Sequence, residues 1–375
     1  MTFVKFGMIG AGIAARYHLA ACKNSPIVKF MRLYDKDEKN AKRVAGAYKI
    51  TPFSNLEEFL SNDIDAVLIA VPHFLHEQMV TAVAEAGKAV LCEKPMATTL
   101  EGCDQMIEIT RKAKVKFMIA ENHRFQPAHQ WIKDAVQKGW VGEPFLIRSY
   151  EGVMEIPNLM QPGFWKGHPI KAGGGSLMDM GAHKFATIQW ILDDVIESAY
   201  AWLTKQCTNL EEKAEDNAMV FLKYKRGAIA EAVVSFTVVT PPTNQIEIYG
   251  TKGSIVENHA WENPIKINSH HKDLGSNRGR WFEPKVEHGI YPKYYDISAR
   301  REDEYFAACI LEDKEPEFTP EQAKDAIATV LLGYLSAELG RTATRDELME
   351  VARTKGTKSI LEKLNSVIQN NYLAR

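Results

Sequence analysis

The sequence predicts two domains of different class: an α/β domain on a doubly wound parallel sheet, then an α+β domain whose strands are mostly antiparallel. Three observations predict this. At 375 residues the chain is longer than one core usually supports. Its first third alternates short apolar runs with amphipathic stretches at helical spacing. After residue 140 the apolar runs follow one another through turns, and helical patterns return near the end. The boundary is expected near residue 125, dividing 1–125 from 126–375.

In the first part, strands are expected at Val4 to Ile9, Val28 to Tyr34, Ala66 to Val71, Ala89 to Cys92 and Lys116 to Ala120. Helices are expected at Ile13 to Cys22, Phe74 to Ala86 and Leu100 to Ala113, and most crossovers are long enough to hold one. A helix led by Pro127 should end near Gly139. Beyond it, Phe145 to Glu151, Ala218 to Tyr224, Ala228 to Phe236 and Gln245 to Tyr249 read as strands. A flexible glycine-rich turn and helix, Gly173 to Leu192, interrupts them; helical patterns follow at Asp303 to Leu311, Pro320 to Leu339 and Asp346 to Leu364. The stretch from Trp261 to Ser298, dense in His, Asn, Gly, Pro and Tyr, has no clear period and is expected to be a long loop.

The 46 basic and 48 acidic residues nearly cancel, which excludes the basic field that nucleic acid requires. Five cysteines, at 22, 92, 103, 207 and 309, form no CxxC pair and no even framework. They read as reduced thiols in a reducing compartment and disfavour structural zinc. The chain runs into its first strand without a charged leader, and no run is long enough to span a bilayer; a cytoplasmic protein with no membrane partner is expected.

Gly10-Ala11-Gly12-Ile13-Ala14-Ala15 fits G-x-G-x-x-G/A, directly after the first strand and opening the first helix. Gly10 permits the tight turn, Gly12 lets the backbone approach a pyrophosphate at the helix start, and Ala15 allows close packing of helix on strand. An ordinary tight strand-to-helix turn is the bland alternative that the glycines alone leave open, but Asp35 ends the second strand where an acidic ribose ligand belongs. Asp35 repels a 2'-phosphate and favours NAD; Lys36 beside it leaves NADP possible.

Glu93-Lys94-Pro95 follows the fourth strand, at the carboxyl edge where open α/β sheets bind ligands. Lys94 there can hydrogen-bond a substrate hydroxyl and help move a proton, or merely open a helix beside a proline. After Gly173-Gly174-Gly175, Asp179 and His183 are four residues apart on a helix, on one face. The carboxylate can orient the imidazole or share its proton; a surface ion pair is the bland alternative, but apolar Leu177, Met178, Met180 and Ala182 point to burial. His73 and His76 raise a metal pair, with Glu93 or Asp179 completing it. The position of Val71, Pro72 and His76 at the end of the third strand instead lines them along a nicotinamide site, so no metal is expected. Asn122, at the end of the fifth strand, falls on the same edge.

These landmarks resemble the glucose-fructose oxidoreductase / inositol 2-dehydrogenase / rhizopine-catabolism (Gfo/Idh/MocA) family over most of the chain. The resemblance rests on Gly10-x-Gly12, Val71-Pro72 with His76, Glu93-Lys94-Pro95, Asn122-x-Arg124-Phe125, Gly173-Gly174-Gly175 with Asp179 and His183, and Gly250-Thr251-Lys252-Gly253-Ser254-Ile255. It implies a Rossmann domain followed by a large open-faced sheet that packs face to face in a homodimer or homotetramer. It also implies Lys94, Asp179 and His183 as the catalytic set, with Trp165-Lys166 near the cofactor where members often carry Trp-Arg. Ala186, three residues after His183, stands where many relatives have an aspartate, and Lys166 gives up the bidentate geometry of arginine.

The activity expected is reversible oxidation of a secondary alcohol on a sugar, glycoside or cyclitol, with Asn122 and Trp165 contacting substrate. Trp165, His168, Tyr291, Tyr294 and Tyr295 are further candidates to stack on or bond a polyhydroxylated ring, although loop aromatics are more often packing. An NAD-dependent glycosidase and a transhydrogenating enzyme with tightly bound nucleotide are the neighbouring readings. A regulatory protein without turnover is a third, and retention of Lys94 and His183 argues against it.

Overall fold

The computed structural model describes residues 3–61, 63–208 and 212–370. The chain forms two compact units. One gathers the chain through Ala97, then Glu101–Phe125 and Tyr295–Lys324; the other gathers Thr98–Leu100, Gln126–Tyr294 and the chain from Asp325 on.

The first unit opens with β1 (Val4–Ile9), α1 (Ile13–Ala21), β2 (Val28–Tyr34), α2 (Glu38–Tyr48), β3 (Thr51–Phe53) and α3 (Leu56–Leu60). It continues with β4 (Ala66–Ile69), α4 (His76–Glu85), β5 (Ala89–Glu93), α5 (Leu100–Ala113) and β6 (Phe117–Ala120). The strands pair in parallel in the order β3-β2-β1-β4-β5-β6, and β4 and β6 are buried throughout, as strands covered on both faces must be. Three elements of this unit escape the sequence reading. The buried stripe of α2 is Ala41, Val44 and Ala45, too small to mark a period, although Asp37 caps the helix through the amides of Lys39 and Asn40. β3 is a three-residue edge strand, so the sheet has six strands where five were expected. α3 is a five-residue helix that Asn55 caps through the amide of Glu58.

The second unit carries α6 (Pro127–Gln137), β7 (Pro144–Gly152), α7 (Ile156–Leu159), a π-helical turn at Leu177–Gly181 and α8 (Ala182–Leu192). Strands β8 (Ile196–Lys205), β9 (Asn217–Tyr224), β10 (Ile229–Ser235), β11 (Thr243–Gly250), β12 (Gly253–Asn258), β13 (Ile265–Ser269) and β14 (Trp281–Phe282) follow. The order β14-β13-β12-β11-β7-β10-β9-β8 is antiparallel except where β10 runs parallel to β7. Inward residues such as Val220, Leu222, Ala230 and Ala232 are buried, while Trp202, Phe221 and Ile229 stand 45%, 41% and 54% exposed. That apolar outer face hid β8 from the sequence reading, because alternation of polar and apolar residues fails on a strand apolar on both sides.

The expected loop at Trp261 to Ser298 is instead β13, a 3-10 turn at Lys272–Asn277, β14 and the start of α9 (Lys293–Leu311). The helix is ten residues longer than its apolar pattern because Ser298, Glu302 and Asp303 occupy fully buried positions. After α10 (Pro320–Leu339), β15 (Ala343–Thr344) pairs with β8. The single helix expected over Asp346 to Leu364 is two, α11 (Arg345–Thr354) and α12 (Lys358–Val367), broken at Gly356 with φ +75°.

Candidate functional site

Parallel pairing brings the carboxyl ends of β1, β2, β4, β5 and β6 to one edge of the first sheet, and β1 and β4 are the strands at which its order reverses. Gly10 ends β1 at φ +101°, and a Cβ there would stand 2.2 Å from the Ala70 carbonyl oxygen. Gly12 precedes α1 in extended backbone, with open space where its Cβ would be and no side chain capping the helix start. The first amides of α1, from Ile13 and Ala14, are therefore offered at a positive helix end, while Ala15 is fully buried beneath them. Asp35 Oδ2 accepts the Ala11 amide at 2.9 Å and Oδ1 accepts that of Asp37 at 2.9 Å, so the carboxylate braces the glycine turn. Lys36 is exposed. Bare amides at a positive helix end, with a carboxylate beside them, are the donors and acceptor that a dinucleotide's pyrophosphate and ribose would require.

Along the same edge, half-buried Val71 and Pro72 follow β4. The His76 ring nitrogens face the carbonyls of Pro95 at 2.9 Å and Val71 at 3.0 Å, so His76 ties together the turns after β4 and β5. Its burial lowers its pKa. Glu93 is also inward-facing: Oε1 meets His18 Nε2 at 3.0 Å and Oε2 accepts the Lys94 amide at 3.1 Å. His18 Nδ1 meets Asp303 Oδ1 at 2.9 Å. Burial opposes charge on His18, but the two carboxylates outweigh it and hold the imidazolium well above its ordinary pKa. Lys94 emerges half-buried from this clamp, and buried Asn122 donates Nδ2 to Ser298 Oγ at 3.0 Å.

In the second unit the three glycines are packed, not flexible. Gly174 has φ +137°, and a Cβ would lie 2.0 Å from Tyr334 Oη; at Gly175 it would lie 1.7 Å from the Glu215 carbonyl oxygen. The Glu215 carboxyl accepts the amides of Gly175 at 3.2 Å and Leu177 at 2.8 Å and the Tyr334 hydroxyl at 2.9 Å. Burial nonetheless pushes its pKa up to about 7. The turn leads into Asp179, on the π-helical turn, and His183, in the first turn of α8, both nearly buried. Lys166 Nζ lies 2.9 Å from Asp179 Oδ2 and 3.8 Å from Glu155 Oε1. Burial works against that ammonium, but the two carboxylates outweigh it and raise its pKa. Trp165 is half-buried and Ala186 buried.

The residues that brace this half are ones sequence reasoning missed. Lys213 Nζ donates to the carbonyls of Phe164 and Lys166, and the Ala214 amide to that of Gly167. Residues 213–215 thus hold both the Lys166 segment and the glycine turn. The adjacent acids Glu215 and Asp216 before an apolar strand were the available signal; nothing in α10 marks Tyr334. His168 Nδ1 accepts the Ile170 amide at 3.1 Å, and Tyr294 packs on His259 and His288, so these two candidate ring contacts serve structure.

A profile described as the oxidoreductase family with an NAD-binding Rossmann fold matches residues 4–121, and one for the Gfo/Idh/MocA C-terminal domain matches 129–256. The chain is similar to a myo-inositol 2-dehydrogenase of Thermotoga maritima, 28% identical over 88% of this chain and 94% of that protein. It is similar to an NADP-dependent D-xylose 1-dehydrogenase of Haloarcula marismortui, 26% identical over 92% and 93%. Its fold matches that of a levoglucosan dehydrogenase solved with NADH and L-sorbose, with a TM-score of 0.82 at 21% identity over 92% of this chain and 100% of that one. The dinucleotide cradle and both profile matches make one case: this chain is an NAD(P)-dependent oxidoreductase and belongs to the Gfo/Idh/MocA family.

Proposed function

We propose that this enzyme reversibly oxidises a secondary alcohol of a sugar, glycoside or cyclitol, with Lys94, Asp179 and His183 as its catalytic residues. The observation that carries the reading is the Lys166–Asp179 ion pair at 2.9 Å, which fixes a carboxyl group four residues before His183. The imidazole of His183 takes the hydroxyl proton as general base, and Asp179 stabilises the imidazolium that results. The Lys94 ammonium hydrogen-bonds the reacting oxygen and stabilises its developing negative charge. Asn122 and Trp165 position the ring. The nicotinamide, when bound, supplies the hydride acceptor or donor.

Gly10, Gly12, Ile13, Ala14 and Ala15 hold the pyrophosphate end, and Asp35 selects NAD over NADP. Val71, Pro72, Asn122, Trp165 and Lys166 line the nicotinamide end, with His76 and Glu93 supporting it from behind. Relatives named for inositol and xylose oxidation support the polyol class. The apolar outer face of β8, β9 and β10, with Trp202 edge-on to Phe221 at 5.9 Å, supports a homodimer or homotetramer joined through this sheet. None of the five cysteines is in a disulfide, and among the described residues no helix is long and apolar enough to cross a membrane; both fit a cytoplasmic setting.

The test is absorbance at the reduced-nicotinamide band with NAD or NADP and a panel of sugars, glycosides and inositols. Substrate-dependent signal that Lys94→Ala and His183→Ala abolish is expected. No signal, with nucleotide retained through purification, would replace this reading with the glycosidase or transhydrogenating one.

A further inference from the structure

Outside the proposed catalytic set, the second unit buries His129, Glu257 and His259, each at most 1% exposed. Glu257 lies on β12 two residues after Ile255, in the inward-facing register opposite Ile246. His129 lies on the buried stripe of α6 with Ile132, and His259 follows β12. A carboxylate on the inner face of a strand needs a partner that satisfies both oxygens.

No hydrogen bond does so. His259 Nε2 approaches Glu257 Oε1 to 2.5 Å, yet the angle makes no hydrogen bond, and His129 Nε2 stands 3.8 Å from Oε2. Both Glu257 oxygens and both His259 ring nitrogens are buried without a hydrogen-bond partner among the described residues. The contrast is His18, buried as deeply, whose two nitrogens meet carboxylates at 2.9 and 3.0 Å. One ligand atom from each of the three residues lies within 4.8 Å of the others. Donors at about 2.0 to 2.1 Å from one cation converge in this way, whereas an N–H pointing at an oxygen does not. The nearby ammonium of Lys184 is bonded to Asn244 Oδ1 and the Gln245 carbonyl.

We propose that His129, Glu257 and His259 form a structural site for a divalent first-row cation of zinc type, which ties α6 to β12. Two imidazoles and one carboxylate are a donor set that zinc takes. The depth of burial makes the ion part of the fold, bound as the chain folds. His288 supports it from behind, Nε2 donating to the His259 carbonyl at 3.1 Å, and Tyr294 packs edge-on to the His259 ring at 4.6 Å.

The experiment strips the full-length protein with a chelator under mild denaturation, refolds it with zinc, and measures bound metal by mass spectrometry and unfolding temperature by calorimetry. One zinc per chain is expected, with a rise in unfolding temperature that saturates at one equivalent. Glu257→Gln and His259→Asn should lose both the bound zinc and the rise. Should either variant fail to fold, cobalt(II) on the wild-type chain decides: low-coordinate visible absorption with imidazole donors supports the site. Wild-type protein that refolds fully and takes up no zinc overturns the proposal, as do variants that retain both the metal and the temperature rise.

Discussion

The Lys166 ammonium lies 2.9 Å from the Asp179 carboxylate and 3.8 Å from that of Glu155. A lysine in this place has traded the two-pronged reach of arginine for a point charge, and a point charge suffices to face two carboxylates at these distances. Lys166→Met should leave both acids uncompensated, cost about 2 to 3 kcal/mol and lower kcat roughly 10-fold or more. Lys166→Arg should recover most of both. Because the pair raises the lysine pKa, its contribution is complete below the ordinary lysine range and is lost only as pH rises through the raised value. Denaturant titration at pH 7 and above pH 10 checks this; equal stability of Lys166→Met and wild type at pH 7 would remove the pair from the account.

Glu215 should make stability depend on pH in the opposite way to a salt-bridged acid. Its pKa rises from 4.5 unfolded to about 7 folded, so the folded state binds the proton more tightly. Stability is therefore greatest below pH 4.5, falls between there and about pH 7, and is flat beyond, a loss of about 3 kcal/mol. Glu215→Gln should flatten that slope in thermal unfolding across this range. An unchanged slope would show that the carboxyl does not carry it.

His18 bridges Glu93 and Asp303 in a buried triad. His18→Asn should strand two carboxylates and cost about 3 to 5 kcal/mol, with turnover lost alongside because the Lys94 amide is bonded to Glu93. Urea midpoints measure the first effect and steady-state kinetics the second. A well-folded variant of ordinary stability would refute the clamp.

Gly174→Ala is expected to destabilise the enzyme by more than about 2 kcal/mol, since the new methyl meets the Tyr334 hydroxyl at a φ of +137°. Differential scanning calorimetry is the direct check. A melting point within error of wild type would mean the turn is as pliable as its three glycines first imply.

Asp35→Ser should shift preference toward NADP by roughly 10-fold or more in kcat/KM, by removing the charge that opposes a 2'-phosphate. The same change frees the Ala11 amide, so affinity for NAD falls too. If the NAD-to-NADP ratio did not move, Asp35 would serve only as a brace for the turn.

Much of the nucleotide half is legible in the sequence because its signals are local. A strand, a turn that needs glycine and a helix start occupy neighbouring residues, and each leaves its mark within a few positions. The helices α2 and α3 and strand β3 were missed there because alanine, a five-residue helix and a three-residue edge carry little hydrophobic contrast. The second unit is different. Asp179 and His183 could be picked out by their spacing, but the carboxylate's partner at Lys166, the grip of Glu215 and Tyr334 on the glycine turn, and the meeting of His129 with Glu257 and His259 join residues 13, 38, 156 and 128 positions apart. By itself, then, the sequence determined most elements of the first unit, the dinucleotide turn and the identity of the candidate catalytic residues, since these follow from short-range sterics and periodicity. Only the tertiary structure decided which buried charge faces which, because desolvation makes a pairing obligatory without saying where along the chain the partner will be found.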